Sequence, residues 1–247
     1  MCARRCAGAI PSTPGRKIPP APPPPAAPSR AAHDGAGARM WREQMSAHVI
    51  EGLTGVVLAG GLGRRMGYAN KGLLTVAGEA VLDRILARLS ETCGHVLMVA
   101  NDPTPYAGRN VRVVPDALPG HGALGGLHAA LLNAPTDMVF VCGCDMPFIS
   151  PALIRALAGM LDDRDAAVPR DGYGLQPLHA VYARRIAPLI PPALLRGDLK
   201  MGRFIGTLNA LILPPEETAG FAAEADIFFN LNTPDDLEQA RIAAARL

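Results

Sequence analysis

The sequence lacks long apolar runs, a marked excess of charge and paired cysteines. No stretch of 18 consecutive apolar residues occurs among its 247 residues, so it predicts no membrane-spanning helix. The formal net charge is only +2, whereas a dedicated nucleic-acid-binding protein usually has a strong basic excess. The five cysteines include no Cys-x-x-Cys pair, which argues against a disulfide framework. We therefore expect a cytoplasmic protein that binds neither nucleic acid nor membranes.

The glycine-rich stretch after the first predicted strand also lacks the two commonest phosphate-loop patterns. Its spacing is Gly61-x-Gly63-x-x-x-Gly67, which differs from the G-x-G-x-x-G of dinucleotide-binding folds. It does not end in the Gly-Lys-Ser/Thr that a P-loop requires. A G-x-S-x-G nucleophile elbow is absent from the chain as well. These absences argue against a dinucleotide-binding loop and a P-loop at this position, and against a serine hydrolase of the nucleophile-elbow type.

Residues 1–52 differ in composition from the rest of the chain. Nine of the 24 prolines occur before residue 30, and the segment carries a net charge of +4. Because it can bury little apolar surface, we expect a disordered Pro/Ala-rich N-terminal extension. It contains no apolar segment of the kind found in secretory signals. A transit peptide and a translation start at Met40 or Met45 are alternatives, and a dispensable extension is the interpretation we favour.

From residue 54 onward, strand and helix patterns alternate. Ser150 before Pro151 and Thr233 before Pro234 have the pattern of helix N-caps. Short apolar runs rich in β-branched residues predict strands. The predicted strands are 55–59, 95–100, 111–114, 138–141, 166–169, 178–182, 210–213 and 227–231, and the predicted helices are 81–89, 124–132, 151–161, 187–195 and one that begins after Thr233. This alternation predicts an α/β fold, a single three-layer Rossmann-like domain over 53–247 with a mostly parallel mixed sheet.

Glycines or polar side chains follow four of the predicted strands. They are Gly60-Gly61, Asn101-Asp102, Asp116 and Asp145, in chain order. In a parallel sheet the carboxyl ends of the strands share one edge, where ligands usually bind. The four positions together therefore predict a binding site at that edge.

Basic residues accompany the glycine-rich stretch. Glycines allow backbone N–H groups to approach phosphate oxygens, and Arg64, Arg65 and Lys71 add positive charge. The chain contains 21 arginines and only three lysines. A lysine directly after a phosphate loop therefore suggests a requirement for a compact ammonium group.

Acidic residues at the predicted edge favour a metal ion. Asp145 directly follows an apolar strand and is well placed to hold Mg²⁺, which binds through one or two carboxylates together with substrate phosphates. Its alternative role is to cap a turn before the helix at Pro151. Asp116 either contacts the base, the ribose or the metal, or only forms a turn, and Asn101 either hydrogen-bonds a base edge or only terminates its strand.

Five motifs in order resemble the MobA-like nucleotidyltransferases, and among these the molybdenum cofactor guanylyltransferases. The resemblance covers residues 54–247. Its motifs are Leu58-Ala59-Gly60-Gly61-x-x-x-Arg65-Met66-Gly67-x-x-x-Lys71, Asp116 with Gly122-Ala123-Leu124-Gly125-Gly126, Cys144-Asp145-Met146-Pro147, Gln176-Pro177-Leu178 and Asn230-Leu231-Asn232-Thr233-Pro234. The fold implied is the nucleotidyltransferase domain of that family.

The resemblance implies a Mg²⁺-dependent enzyme that transfers GMP from GTP to Mo-molybdopterin and releases pyrophosphate. It also implies a role for each matching residue. Nucleotide contacts fall to Leu58, Ala59, Gly60, Gly61, Lys71, Asn101, Asp116 and Asp145, metal binding to Asp145, catalysis to Lys71, Arg65 and Asp145, and contacts to the pterin substrate to Asn230, Asn232 and Lys200. A monomer is expected. Its further partners would be other proteins of molybdenum cofactor biosynthesis or proteins that accept the cofactor.

The sequence departs from the usual motifs of the family at two places. His121-Gly122-Ala123 replaces the usual Gly-Pro of the central loop, and Leu199 stands where the family has arginine in Gly-Asp-Arg-Lys.

Three alternative functions remain: a molybdopterin cytidylyltransferase, a cobinamide-phosphate guanylyltransferase and a non-catalytic nucleotide-binding domain. The related cytidylyltransferases tend to have Leu-Ala-Ala-Gly, so Ala59-Gly60-Gly61 favours guanine.

Overall fold

A single mixed sheet organises the part of the chain that the structure describes. The computed structural model describes residues 48–59, 70–221 and 226–246. Within these ranges, seven strands form the sheet and two short strands form a separate hairpin. The strands are β1 (Ile50–Leu58), β2 (Thr75–Val76), β3 (Glu79–Ala80), β4 (Cys93–Val99), β5 (Arg112–Val114), β6 (Met138–Gly143), β7 (Ala166–Pro169), β8 (His179–Ala183) and β9 (Ala210–Leu213).

The sheet order places the carboxyl ends of four strands side by side. The order is β5-β4-β1-β6-β8-β7-β9, and β5, β4, β1 and β6 are all parallel. Strand β8 is antiparallel to both β6 and β7, and β9 is parallel to β7. The chain moves from β1 to β4 and β5 on one side and returns to β6 on the other side of β1. Because the chain changes from one side of β1 to the other after β5, the carboxyl ends of β1 and β6 border a topological switch point, the place at which open α/β sheets usually bind their ligands.

Helices cover both faces of the sheet. They are α1 (Val81–Ser90), α2 (Gly122–Asn133), α3 (Pro151–Leu161), α4 (Ile190–Leu195), α5 (Met201–Ile205), α6 (Pro215–Thr218) and α7 (Pro234–Ala244), with 3-10 turns at Lys71–Leu73, Thr104–Tyr106, Arg184–Leu189 and Ala219–Phe221. None of the helices in the described part of the chain is long and apolar enough to cross a bilayer.

Two hydrophobic clusters separate these helices from the sheet. Helices α1, α3 and α7 pack on one face against a cluster that includes Val57 and Phe140. Helices α2, α4 and α5 pack on the other face against a cluster that includes Val56 and Val141. Alternate residues of β1 and β6 thus face opposite clusters, as the pleat of a strand requires. The predicted three-layer α/β fold with a mostly parallel mixed sheet is confirmed.

The predicted helix caps are also confirmed. The Ser150 hydroxyl accepts a hydrogen bond from the Leu153 N–H at 3.3 Å, and Pro151 takes the first helical position. At the start of α7, Thr233 and Asp236 form a reciprocal capping box. Polar side chains at these positions satisfy N–H groups that the helix itself leaves without partners.

One predicted strand is wrong, and the first strand begins earlier than expected. Residues 227–231 form a turn at 227–228 followed by an irregular segment, and their hydrogen bonds are local or reach a segment other than a strand: the Asn230 amide donates to the Phe228 carbonyl oxygen, and the Leu231 N–H donates to the Asp145 carbonyl oxygen. Their apolar side chains enter the core without a strand partner. Strand β1 begins at Ile50, so three residues of the predicted extension 1–52 belong to the sheet. Residues 1–47 of that extension lie outside the described residues.

Candidate nucleotide-binding site

A cavity of about 530 Å³ opens at the carboxyl ends of β1, β4, β5 and β6. Six residues with a predicted nucleotide contact line it, namely Leu58, Ala59, Lys71, Asn101, Asp116 and Asp145. The expectation that the polar strand ends meet at one edge is therefore observed for Asn101, Asp116 and Asp145. Gly60, Gly61 and Arg65, the remaining predicted contacts of the first loop, lie outside the described residues.

Lys71 and Asp145 form an ion pair in this cavity. The Lys71 Nζ atom lies 3.4 Å from Asp145 Oδ2, and the two side chains are 18% and 24% exposed. Among the lining residues that the structure describes, Lys71 is the only lysine or arginine. Charges held in a partly buried cavity interact more strongly than charges in water. The cavity thus has a positive and a negative group at adjacent positions.

The backbone contact of Gly72 with Cys144 brings this pair together. A Cβ atom at Gly72 would lie 3.3 Å from the Cys144 carbonyl oxygen, so only a hydrogen atom fits there comfortably. The Cys144 N–H donates to the Leu58 carbonyl oxygen at 3.1 Å, which extends the β1–β6 pairing by one residue. Because Gly72 and Cys144 touch, the adjacent residues Lys71 and Asp145 come within reach of each other.

Asp145 does not cap the helix that follows it. Ser150 performs that function, as shown above, and Asp145 itself lies in a turn between β6 and α3. Its carboxylate instead lies close to the backbone of Gly143, where a Cβ atom would be 2.6 Å from Oδ1. The Asp145 carbonyl oxygen accepts a hydrogen bond from the Leu231 N–H at 2.9 Å. The backbone at Asp145 is thus fixed by the C-terminal segment.

The same segment contacts Lys71. The Lys71 ammonium group donates to Asn232 Oδ1 at 2.8 Å, across 161 positions of sequence. The Asp236 carboxylate accepts hydrogen bonds from the Asn232 and Thr233 N–H groups at 2.8 and 2.7 Å. Partial burial acts to raise the pKa of Asp236, but these N–H groups and the Lys71 charge outweigh it and lower the pKa. Asp236 is therefore held in its ionised form.

Asn101 and Asp116 are linked on the other side of the cavity. Asn101 Oδ1 accepts a hydrogen bond from the Asp116 N–H at 2.9 Å, and Asp116 Oδ1 accepts one from the Leu118 N–H at 2.9 Å. A Cβ atom at Gly125 would lie 2.9 Å from the Leu118 carbonyl oxygen and 3.2 Å from both Asp116 carboxylate oxygens. The start of α2 thus packs directly against the turn that holds Asp116.

Two residues of the cavity were missed by the sequence reasoning. They are Tyr106 and Asn70, the residue that directly precedes Lys71 in the sequence. Tyr106 is buried, and its hydroxyl donates to Asn70 Oδ1 at 3.1 Å. Burial, with added repulsion from Cys144 and Asp102, raises the pKa of Tyr106 to about 12. No local pattern marks either residue. The glycine pattern Gly120-x-Gly122-x-x-Gly125 at the start of α2 is a local signal for other parts of the lining, because Gly120 and Gly122 border the cavity.

None of the three residues predicted to bind the pterin substrate lines the cavity, although Asn232 contacts Lys71, which does. The Asn230 amide donates to the Phe228 carbonyl oxygen at 2.7 Å within its own turn. Lys200 is exposed, and its carbonyl oxygen accepts hydrogen bonds from the Arg203 and Phe204 N–H groups of α5. Near the Leu199 departure, Arg203 pairs with Asp198 at 2.8 Å. A role for Asn230 and Lys200 in substrate binding stays a prediction.

The donor groups of the cavity are compatible with a divalent cation that prefers oxygen ligands. No group of three or more His, Cys, Asp or Glu side chains comes together within 48–59, 70–221 and 226–246. The two carboxylates that line the cavity, Asp116 and Asp145, suit a cation that takes its other ligands from phosphates and water, as Mg²⁺ does. A thiolate site is disfavoured, because burial, together with the Asp145 charge, raises the pKa of the Cys144 thiol to about 12.

Comparisons with known proteins place this geometry in a family. Residues 55–211 match the MobA-like NTP transferase domain, which covers more than half of the chain. The chain is 32% identical over 195 residues to the molybdenum cofactor guanylyltransferase of Desulfosudis oleivorans, covering 78% of this chain and 96% of that protein. It is 35% identical over 189 residues to the enzyme of the same name from Vibrio atlanticus, covering 74% of this chain and 93% of that protein.

A solved structure agrees with these relatives. The crystal structure of molybdopterin-guanine dinucleotide biosynthesis protein A from Archaeoglobus fulgidus superposes with a TM-score of 0.69 at 30% sequence identity. The match covers 78% of this chain and 100% of that one. The number of residues of this chain that lie outside the match is close to the number in the N-terminal extension 1–52. The sheet order, the cavity at its switch point and these matches lead to one conclusion: the chain belongs to the MobA-like NTP transferase family.

Proposed function

We propose that this protein is a monomeric cytoplasmic guanylyltransferase that transfers GMP from GTP to Mo-molybdopterin, forming molybdopterin guanine dinucleotide and pyrophosphate. The observation that carries the proposal is the meeting of Lys71 and Asp145 in the cavity at the sheet's switch point. Relatives named for this activity cover most of the chain at more than 30% identity and support the choice of substrates.

The reaction needs charge neutralisation and alignment more than proton transfer. A phosphate oxygen of the acceptor forms a bond to the α-phosphorus of GTP, and the α–β anhydride bond breaks as pyrophosphate leaves. The acceptor phosphate is already ionised, so no general base is needed. Both reactants are anionic, and the Lys71 ammonium would offset the charge that develops on the leaving pyrophosphate. Mg²⁺ held by Asp145 and the phosphates would supply further neutralisation.

The base would lie on the Asn101 and Asp116 side of the cavity. Guanine presents N–H donors on its edge, and the Asp116 carboxylate is an acceptor that can pair with them. Asn101 fixes the backbone at Asp116 through its 2.9 Å hydrogen bond, so the carboxylate has a defined position. Guanine has two donors, N1–H and N2–H, on one edge, so a single carboxylate can accept from both, whereas cytosine presents only its N4 amino group. A carboxylate at this position therefore supports GTP over CTP.

Product analysis with purified protein, Mg²⁺ and Mo-molybdopterin tests the proposal. Labelled GTP is expected to yield the guanine dinucleotide and pyrophosphate, whereas labelled CTP yields neither. Transfer of CMP instead would establish the cytidylyltransferase alternative, and transfer of GMP only to cobinamide phosphate would establish the other enzymatic alternative.

A nucleotide panel in a thermal-shift assay separates the non-catalytic alternative. Stabilisation by GTP with Mg²⁺, and none by CTP, is expected for the proposed enzyme, since a ligand that binds only the folded state raises its stability. Stabilisation by GTP without product formation from either acceptor would favour a nucleotide-binding domain without catalysis. No stabilisation by any nucleotide would contradict the proposal altogether.

A further inference from the structure

Lys71 has two acceptors of different charge. Its Nζ atom lies 2.8 Å from the neutral amide oxygen of Asn232 and 3.4 Å from the carboxylate oxygen of Asp145. Charge-assisted hydrogen bonds between ammonium and carboxylate groups normally measure about 2.7–2.9 Å. The ammonium group therefore forms a short hydrogen bond with the Asn232 amide oxygen and only a long one with the Asp145 carboxylate.

The amide that holds Lys71 is itself held firmly. The Asp236 carboxylate, part of the α7 capping box, accepts hydrogen bonds from the N–H groups of Asn232 and Thr233. One residue earlier, the Leu231 N–H donates to the Asp145 carbonyl oxygen. The start of α7 thus fixes both ends of the Lys71–Asp145 pair, one through a side chain and the other through the backbone.

A cation on Asp145 and the Lys71 ammonium compete for the same carboxylate oxygens. If Asn232 were absent, the Asp145 carboxylate would be the remaining hydrogen-bond acceptor of the Lys71 ammonium in the described part of the chain, and the Asp236 carboxylate would interact with it only through its charge. Closing that pair would mask the carboxylate. Because the Asn232 oxygen is neutral, it holds the ammonium without placing another negative charge beside the phosphates.

We propose that Asn232 is a positioning residue that keeps the Lys71 ammonium off Asp145, so that a divalent cation can bind the carboxylate. This inference rests on the proposed function, because it takes Asp145 as the cation's protein ligand. It assigns Asn232 a role within the protein itself, in addition to the substrate contact that the family resemblance implies.

Mn²⁺ alone, titrated into the full-length protein and followed by electron paramagnetic resonance of the free ion, is the probe. Asn232→Ala is expected to weaken Mn²⁺ binding about fivefold or more, because the released ammonium competes for Asp145. In a Lys71→Met background the same substitution is expected to have no effect, since no ammonium is left to position. Asn133→Ala, which removes an amide bonded to the Ala129 carbonyl oxygen in α2, is the control with unchanged affinity.

The outcomes separate this inference from the proposed function. If Asp145→Ala leaves Mn²⁺ binding intact, Asp145 is not the metal ligand and both proposals fail on this point. If Asp145→Ala abolishes binding but Asn232→Ala leaves it unchanged, only the inference is overturned. An equal loss in the wild-type and Lys71→Met backgrounds also overturns it, because Asn232 would then act without Lys71. Circular dichroism melting curves, expected to match the wild type, establish that each variant is folded.

Discussion

The backbone of Gly143 and the carboxylate of Asp145 lie so close that no side chain fits between them. A Cβ atom at Gly143 would be 2.6 Å from Asp145 Oδ1, a distance that real Cβ atoms do not show. The clash is with the movable end of a side chain, so the strand can persist while the carboxylate moves. This proximity makes the position of Asp145 sensitive to one methyl group.

We therefore expect Gly143→Ala to lower kcat about a hundredfold with little change in melting temperature, because a displacement near 1 Å at a reacting centre has that scale of effect. Steady-state kinetics and a melting curve on the same preparation measure both quantities. Gly202→Ala is the matched control, since a Cβ atom at Gly202 meets nothing within 4 Å. Wild-type turnover in Gly143→Ala would show that the placement of Asp145 is not critical.

Lys71→Ala and Asp145→Ala are each expected to lower the transfer rate by about 10²–10³, the usual scale for removing a stabilising group from a transition state. Arg184→Ala is the control, because Arg184 and Asp137 form an ion pair with the same 3.4 Å separation at the opposite edge of the sheet. Rates from single-turnover GMP transfer provide the measurement. Near-normal turnover in either site variant would refute the assignment of this cavity as the active site.

Tyr106→Phe is expected to lower kcat/KM for GTP about fivefold. The substitution removes the hydroxyl that donates to Asn70 Oδ1 at 3.1 Å while it keeps the buried ring. One such hydrogen bond is worth about 1 kcal/mol, which corresponds to that ratio, and Asn70 directly precedes Lys71. Asn70→Ala is expected to have a similar effect, and the double variant no more than either single one. Additive losses would mean that the two residues act independently.

The buried ring of His179 predicts a pH-dependent stability. Its two nitrogen atoms have no hydrogen-bond partner in the described structure, and it lies edge-on to Phe140 and Phe228, with ring centroids 5.3 Å from each. Burial lowers the pKa of His179 from 6.5 to about 3. Between these values the unfolded chain binds a proton at this position that the native state does not bind. The free energy of unfolding is therefore expected to fall as pH falls from 6.5 toward 3.

Urea unfolding of the wild type and His179→Phe at pH 7, 6 and 5 measures this effect. Each pKa unit corresponds to about 1.4 kcal/mol, so the variant is expected to gain about 2 kcal/mol relative to the wild type between pH 7 and 5. The phenylalanine keeps the apolar ring between its two neighbours but cannot be protonated. A constant difference between the two proteins over this range would show that His179 does not titrate as expected.

The elements with strong local patterns were predictable, and the reason is visible in particular residues. Helix α3 begins after Ser150 as predicted because both the cap and Pro151 act within one turn of the chain. The segment 227–231 was wrongly predicted as a strand because its apolar residues are buried by a turn in the same way that strand residues are. Hydrophobicity reports burial, but a strand also requires a neighbouring strand with unpaired backbone groups.

By itself, the sequence determined the α/β alternation, the helix caps and the expectation that Asn101, Asp116 and Asp145 follow strands at one edge, because these depend on periodicity and on short-range hydrogen bonding. Only the tertiary structure decided which side chains meet there. Lys71 reaches Asp145 across 74 positions and Asn232 across 161. Those contacts follow from the packing of Gly72 on Cys144 and of the α7 cap beside β6, and such packing leaves no local pattern in the chain.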